Sequence, residues 1–451
     1  LSAGDDVVDA AFSQAAVIRA DDEEEVIRAV KAMQLPPMRG RRVAVLSRSG
    51  GHAVISADAC ARYGFEMIHF PDSFLQAIRS MYETRVISHQ NPLDLGEIFD
   101  YTIFTRILEE ALKLDEVDGV LFNHLYQSEY EANTSRTFLD SVVELVEKYN
   151  KPAMVTMISD AEELLDIHKN HPMPVFSTPV AAASALNISA TYHERKRNRD
   201  NRGQKQESLF DVNNISEYLS APVYRHRQPL LDENLEICSL AGMRSVRGKK
   251  IVTVDELEEV TIGFPLAAKL VSADASHKSD AGGVRLNISN YDELADAIKE
   301  MKESLEKYSP GADYGGVYVH EMAPSGAEFF VGARKDPVFG PIVMTGMGGI
   351  FVEIFKDISI RIAPITVHEA WDMVQSLTSY PLIQGYRGND PLDAEALVDL
   401  IMRVSDLITE IDDIKEMDLN PVFIYKDGLG STVIDCRIFI DNTTRFSVLP
   451  S

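Results

Sequence analysis

Residues 41–190 alternate short apolar runs with longer amphipathic ones, and this alternation limits the fold more than any other feature. Val43-Ala44-Val45-Leu46 is a strand, Ser49-Gly50-Gly51 a turn, and His52 to Tyr63 a helix closed by Gly64. Further strands are predicted at Gly119–Phe122, Ala153–Met157 and Val175–Phe176, and helices at Phe104–Leu114 and Thr137–Tyr149. Uninterrupted apolar strands separated by helices require a parallel sheet covered on both faces. The expected architecture is therefore α/β, doubly wound and flavodoxin-like. A glycine turn between strand and helix points free N–H groups and the positive helix end outward, which suits phosphate at Gly50 and Gly51; taken alone, a tight turn that needs glycine for shape accounts for it better.

Before this block, residues 1–35 read as a helix around Val7–Ala16, a short strand at Val17–Arg19 and a helix from Asp22 to Met33. Acidic Asp21 to Glu25 fits that helix start. Pro36-Pro37 marks a boundary. Residues 191–232 break the pattern. Arg195, Lys196, Arg197, Arg199, Arg202 and Lys205 form a basic island in a chain of net charge −26, read as an exposed interdomain linker because no aromatic residues interleave it. Residues 233–451 form a second unit that includes a helix through Leu294, Ala297, Ile298, Met301 and Leu305.

The most chemically loaded run is His277-Lys278-Ser279-Asp280-Ala281-Gly282-Gly283. Phe264 to Val271 upstream is a buried strand carrying one lysine, Lys269, and Arg285 follows downstream. Gly282 and Gly283 permit a tight turn with exposed N–H groups. A histidine hinged there, between a lysine and an arginine, suits a group that receives or passes a phosphoryl; a polar loop with an incidental histidine is the plain alternative. Asn420, after Asp418-Leu419, and Asp435, after Val433-Ile434, are read on neighbouring strands, where oxygen ligands can share one hard cation such as Mg²⁺.

At 451 residues the chain can hold two to four domains. The acidic balance argues against nucleic-acid partners. Cys60, Cys238 and Cys436 show no pairing signal, which fits a reducing, cytoplasmic setting. No run approaches the roughly eighteen apolar residues of a membrane helix.

Together these segments resemble the NDP-forming (ADP-forming) acyl-CoA synthetases, relatives of succinyl-CoA synthetase. The resemblance spans nearly the whole chain. It rests on His277 to Val284, Asp336-Pro337-Val338-Phe339-Gly340-Pro341, Gly346-Met347-Gly348-Gly349-Ile350-Phe351-Val352-Glu353, Asp418-Leu419-Asn420-Pro421 and Asn91-Pro92-Leu93-Asp94-Leu95. It implies an ATP-grasp fold for 233–451, with Lys269 on nucleotide phosphate, Glu321 and Met322 at the adenine hinge, and Glu328 on the ribose. Gly348 and Gly349 belong to the nucleotide site, and Asn420 and Asp435 hold Mg²⁺. His277 would relay the phosphoryl as a phosphohistidine. Residues 1–35 would be the end of one ligase domain, 36–190 a second one, and 191–232 the linker between it and the nucleotide domain. His52 stands where relatives carry a small residue or proline.

Leu1 to Asp6 resemble the run that follows the family's main phosphohistidine, so that histidine and the CoA-binding domain would lie before Leu1, or on a separate subunit. The implied reaction joins a short carboxylic acid, such as acetate, to CoA while ATP becomes ADP and phosphate. This chain alone is expected to bind Mg-ATP without completing that reaction. A homo-oligomer is expected as well. Two other classes compete: a non-catalytic synthetase-like module of a protein acetyltransferase, and an ATP-grasp ligase that transfers to an amine. Intact His277, Asn420 and Asp435 argue against the first, and a phosphoryl-carrying histidine against the second.

Overall fold

β1 (Arg42–Ser47) is buried along its whole length apart from a half-exposed Arg42, and each neighbour it needs is present. A computed structural model describes residues 4–81, 90–96, 98, 100–202, 207–273, 282–348 and 357–441. His277 and Gly349 lie outside the described residues. By contact the chain divides into Phe12–Arg202 and a second unit of Gly203–Ser451 with Leu1–Ala11.

In the first unit β1 pairs in parallel with β2 (Glu66–Met67), β3 (Leu93–Asp94) and β4 (Gly119–Leu125). The sheet continues through β5 (Ala153–Ile158) to β6 (Val175–Phe176), giving the order β2-β1-β4-β5-β6 with β3 beside β1. Without the two-residue β3, this is the flavodoxin order. On one side of β1, β2 covers Arg42 and Val43 while β3 covers Leu46 and Ser47. Asn91 fills the gap: its Oδ1 accepts from Val45 N at 2.9 Å, and its Nδ2 donates to the carbonyls of Val43 and Ile68. The helices Gly50–Arg62 and Glu23–Met33 pack with Pro179–Asp200, and Tyr101–Lys113 packs with Ser128–Tyr149.

Two expectations fail here. Residues 17–19 form no strand, because no sheet edge pairs with them. Residues 191–200 are not linker but the second half of the helix Pro179–Asp200, which Thr178 caps and a first-turn proline starts. Its buried half ends at Ala190, so the later turns carry no apolar stripe to read. They are held instead by arginines donating to main-chain carbonyls: Arg195 to Val17, Arg197 to Arg39 and Arg199 to Ala15. The helix Val212–Leu219, also inside the expected linker, buries Ile215 and Leu219 completely in the core of the second unit.

The second unit holds two antiparallel sheets. One has the order β7 (Gly248–Ile251), β10 (Gly316–Glu321), β8 (Leu266–Val271), β9 (Val284–Ile288), and the helix Tyr291–Tyr308 packs on β8 and β9. The other runs β13 (Ile358–Ile362), β12 (Gly340–Met347), β11 (Ala327–Asp336), β14 (Ile414–Ile424), β15 (Ser431–Val433), with β16 (Cys436–Ile440) also on β14. The helix Ala394–Glu410 covers β11, β12 and β14. Among the described residues no helix is long and apolar enough to cross a membrane.

Candidate functional site

Alternation along β8 sets the site. Leu266, Ala268 and Leu270 face the core under the helix Tyr291–Tyr308, together with Val317 and Val319 of β10. The intervening Ala267 and Lys269 therefore face the other way, on the side of their cross-strand partners His320 and Tyr318. Lys269 is only 5 % exposed. A buried ammonium needs partners, and Lys269 Nζ donates to Ile434 O at 2.8 Å and lies 3.3 Å from Asp435 Oδ2. Asp435 sits in the turn between β15 and β16. Its carboxylate accepts from Cys436 N at 2.9 Å, and its carbonyl accepts from Asn420 N at 3.1 Å.

These groups line a cavity of about 410 Å³ between the two sheets of this unit. Its walls include Lys269, Val284, Leu286, His320, Met322, Ala323, Glu328, Asp418, Asn420, Phe423, Asp435 and Arg437. Of the residues expected from the sequence, Lys269, Met322, Glu328, Asn420 and Asp435 meet there. Glu321 does not line it; its side chain is exposed, while its N–H donates to Arg247 O at 3.1 Å. Gly348 supports the wall from behind: its N–H donates to Glu328 O at 2.7 Å, and a Cβ there would come within 3.1 Å of the Glu328 carbonyl group. Gly282 has φ +64, and Gly283 accepts from Leu270 N at 2.8 Å, so this pair leads β9 into register beside Lys269. Neither glycine lines the cavity.

Gly50 and Gly51 open a helix in the other unit. The protein's own carboxylate already meets that helix start, since a Cβ on Gly50 would lie 2.9 Å from Asp94 Oδ2. Asp94 is buried and accepts from Gly96 N at 2.9 Å.

Asp418, His320 and Arg437 also line the cavity and were not anticipated as site residues. Asp418 lies two positions before Asn420 on β14, so both side chains leave the same face, a spacing visible in Asp418-Leu419-Asn420. Burial pushes the Asp418 carboxyl above its usual range; Arg437, its register partner on β16, opposes this, and the charges of Asp435 and Glu416 add to it. Two carboxylates and one amide oxygen on one wall form an oxygen donor set that fits Mg²⁺. Among the described residues no cluster of three or more His, Cys, Asp or Glu could hold a metal by itself. Cys238 and Cys436, far apart in sequence, are buried free thiols with Sγ atoms 3.4 Å apart.

Residues 225–440 match the ATP-grasp domain family. The beta subunit of acetate–CoA ligase [ADP-forming] I of Pyrococcus furiosus is 42% identical over 47% of this chain and 92% of that subunit. The chain belongs to the ADP-forming acyl-CoA synthetase family. Within this family, 4-hydroxybutyrate–CoA ligase [ADP-forming] of Nitrosopumilus maritimus is 30% identical over 97% of this chain. The chain spans 63% of the length of that relative. A solved acetyl-coenzyme A synthetase of Ca. Korarchaeum cryptofilum superposes over 51% of this synthetase-family chain and 100% of its own, with 35% identity and a TM-score of 0.47.

Proposed function

We propose that the Lys269 cavity binds ATP or ADP with Mg²⁺. In this reading the chain supplies the nucleotide half of a reversible ligation in which acid, CoA and ATP become acyl-CoA, ADP and phosphate. The observation that carries the proposal is buried Lys269, paired with the partly buried Asp435, facing a cavity that Asp418, Asn420 and Glu328 also line. Burying the Lys269 ammonium has a desolvation cost that such a pair offsets with little net stability, so a ligand role explains it better than a structural one.

In this reading the cavity residues divide the work among phosphate, sugar, base and metal. Lys269 Nζ contacts the phosphate oxygens, and Glu328 accepts from ribose hydroxyls. Met322, Leu286 and Phe423 supply the apolar faces a base stacks on. Asp435, Asn420 and Asp418 hold the metal, which when bound neutralises phosphate charge. His277 carries the phosphoryl as a phosphohistidine, which suits an imidazole nucleophilic near neutral pH.

Residues 1–35 and 36–190 are assigned to ligase domains, and a CoA-binding segment or subunit completes the site. The acid is a short carboxylate such as acetate, the compartment the cytoplasm, and the assembly a homo-oligomer.

Calorimetry with Mg-ATP and Mg-ADP tests this on the parent chain, Asp435→Ala and His277→Ala. The expected result is binding by the parent and by His277→Ala, lost in Asp435→Ala. No binding by the parent would overturn the assignment.

A further inference from the structure

His320 is the cavity residue whose hydrogen bonding is incomplete. It lies on β10 opposite Ala267, on the face away from Val317 and Val319, and is 2 % exposed. Its Nδ1 is 2.8 Å from the carbonyl oxygen of Glu321. A carbonyl only accepts, so Nδ1 carries the proton. Burial pushes the imidazole down to about 4, with the Lys269 charge adding to this and the Glu321 carbonyl and the Asp435 charge opposing it, so the ring is neutral at physiological pH. Nε2 is therefore a bare lone pair. It has no hydrogen-bond partner and is shielded from solvent. Such buried, unpaired nitrogens are uncommon and call for an explanation.

A ligand that satisfies Nε2 must bring a donor. Phosphate oxygens only accept and carry negative charge, so the triphosphate cannot do it. Within ATP the donors are the 6-amino group of the base and the ribose hydroxyls. The chain leaves His320 through Met322 and Ala323, which line the same cavity with Leu286 and Phe423. Apolar walls in the cavity that the lone pair adjoins suit a purine better than a sugar.

We propose that His320 selects the base, its unprotonated Nε2 accepting a hydrogen bond from the 6-amino group of adenine and thereby disfavouring a 6-oxo purine. This rests on the nucleotide reading above. A 6-oxo purine sets its own lone pairs against that of Nε2. The ring cannot answer by moving its proton, because the Glu321 carbonyl holds it on Nδ1. Sites built around one hydrogen bond discriminate strongly against analogues that cannot make it.

The test titrates the full chain and His320→Gln by calorimetry with Mg-ATP, Mg-ITP and Mg-2′-deoxy-ATP. The parent is expected to bind Mg-ATP at least about tenfold more tightly than Mg-ITP, and Mg-2′-deoxy-ATP within about threefold of Mg-ATP. In His320→Gln the amide can present either its oxygen or its NH₂, so the ATP-to-ITP ratio should narrow to within about threefold. Equal binding of Mg-ATP and Mg-ITP by the parent overturns the proposal without recourse to any variant. An unchanged ratio in a folded His320→Gln also overturns it, as does a loss confined to the deoxynucleotide, which would assign Nε2 to the ribose. If the parent binds none of the three, the nucleotide reading itself falls, and this inference with it.

Discussion

β1 and β8 are each six residues long, buried nearly throughout, and placed between neighbours on both sides, yet they do opposite work. β1 sits in a parallel sheet and offers only apolar side chains from Val43 to Leu46. β8 sits in an antiparallel sheet, gives one face to the core, and turns a lysine into a cavity with the other. Burial alone does not separate a strand that builds the fold from one that builds a site. The difference lies in whether a charge interrupts the run and what it is paired with. Lys269 faces Asp435 and a carbonyl of the other sheet, so the interruption is satisfied by residues distant in sequence.

The comparison breaks most sharply at Leu46. Leu46→Ala leaves a void in a fully buried strand, and chemical denaturation should show a loss of about 2–5 kcal/mol for the first unit. Nucleotide affinity of the folded protein should not change; a parallel fall in affinity would show that the two units are not independent. Lys269→Met is the converse substitution, with volume kept and charge removed. Calorimetry should show at least about a hundredfold weaker Mg-ATP binding, near 2.7 kcal/mol, with β8 still folded by circular dichroism. Retained affinity would return Lys269 to the status of a core residue.

A smaller effect comes from pH. Arg42 donates to Asp118 from its Nε, Nη2 and backbone N–H, and these bonds hold the carboxyl below its usual value against the opposing effect of burial. Because the folded value is depressed, the stabilisation is complete above the unfolded value near 3.8 and is lost as pH falls through the lower folded value. Thermal melts of the parent and Asp118→Asn should therefore differ at pH 6 and converge toward pH 2. A constant difference would assign the effect to packing instead of charge.

Much of the fold was legible because its period was clean. Val43–Leu46 and the helix through Leu294 and Met301 fall where the apolar spacing puts them, whereas Gly50 and Gly51, expected in a turn, already belong to the helix that follows. The same spacing failed where stability does not come from an apolar stripe. The last turns of Pro179–Asp200 are polar all round and are tied by arginines to carbonyls far away in sequence, which no local pattern encodes. Val17–Arg19 shows the reverse case, with strand-like residues and no edge to pair with.

The site divided in the same way. Lys269, Met322, Glu328, Asn420 and Asp435 were accessible through the family resemblance, and the fold gathers them in one cavity. Asp418 was in plain view two residues before Asn420, and period-two reasoning would have added it. His320 and Arg437 were hidden because a lone histidine or arginine on a strand carries no signal until its neighbours across the sheet are known. Expecting Asp435 on a strand and Glu321 in the lining missed where the backbone turns.

Asn91 carries a consequence for amide exchange. The Val45 N–H lies in the middle of a buried sheet, but its acceptor is a side-chain oxygen in the gap between two short strands. A rotation of one side chain can therefore release that proton without separating any strands. In hydrogen–deuterium exchange Val45 should lose protection through a local fluctuation of Asn91, while amides of the same sheet held by main-chain carbonyls wait for the whole unit to open. One amide at the centre of the sheet would thus report on the segment carrying Asn91, giving a sensitive readout of motion there.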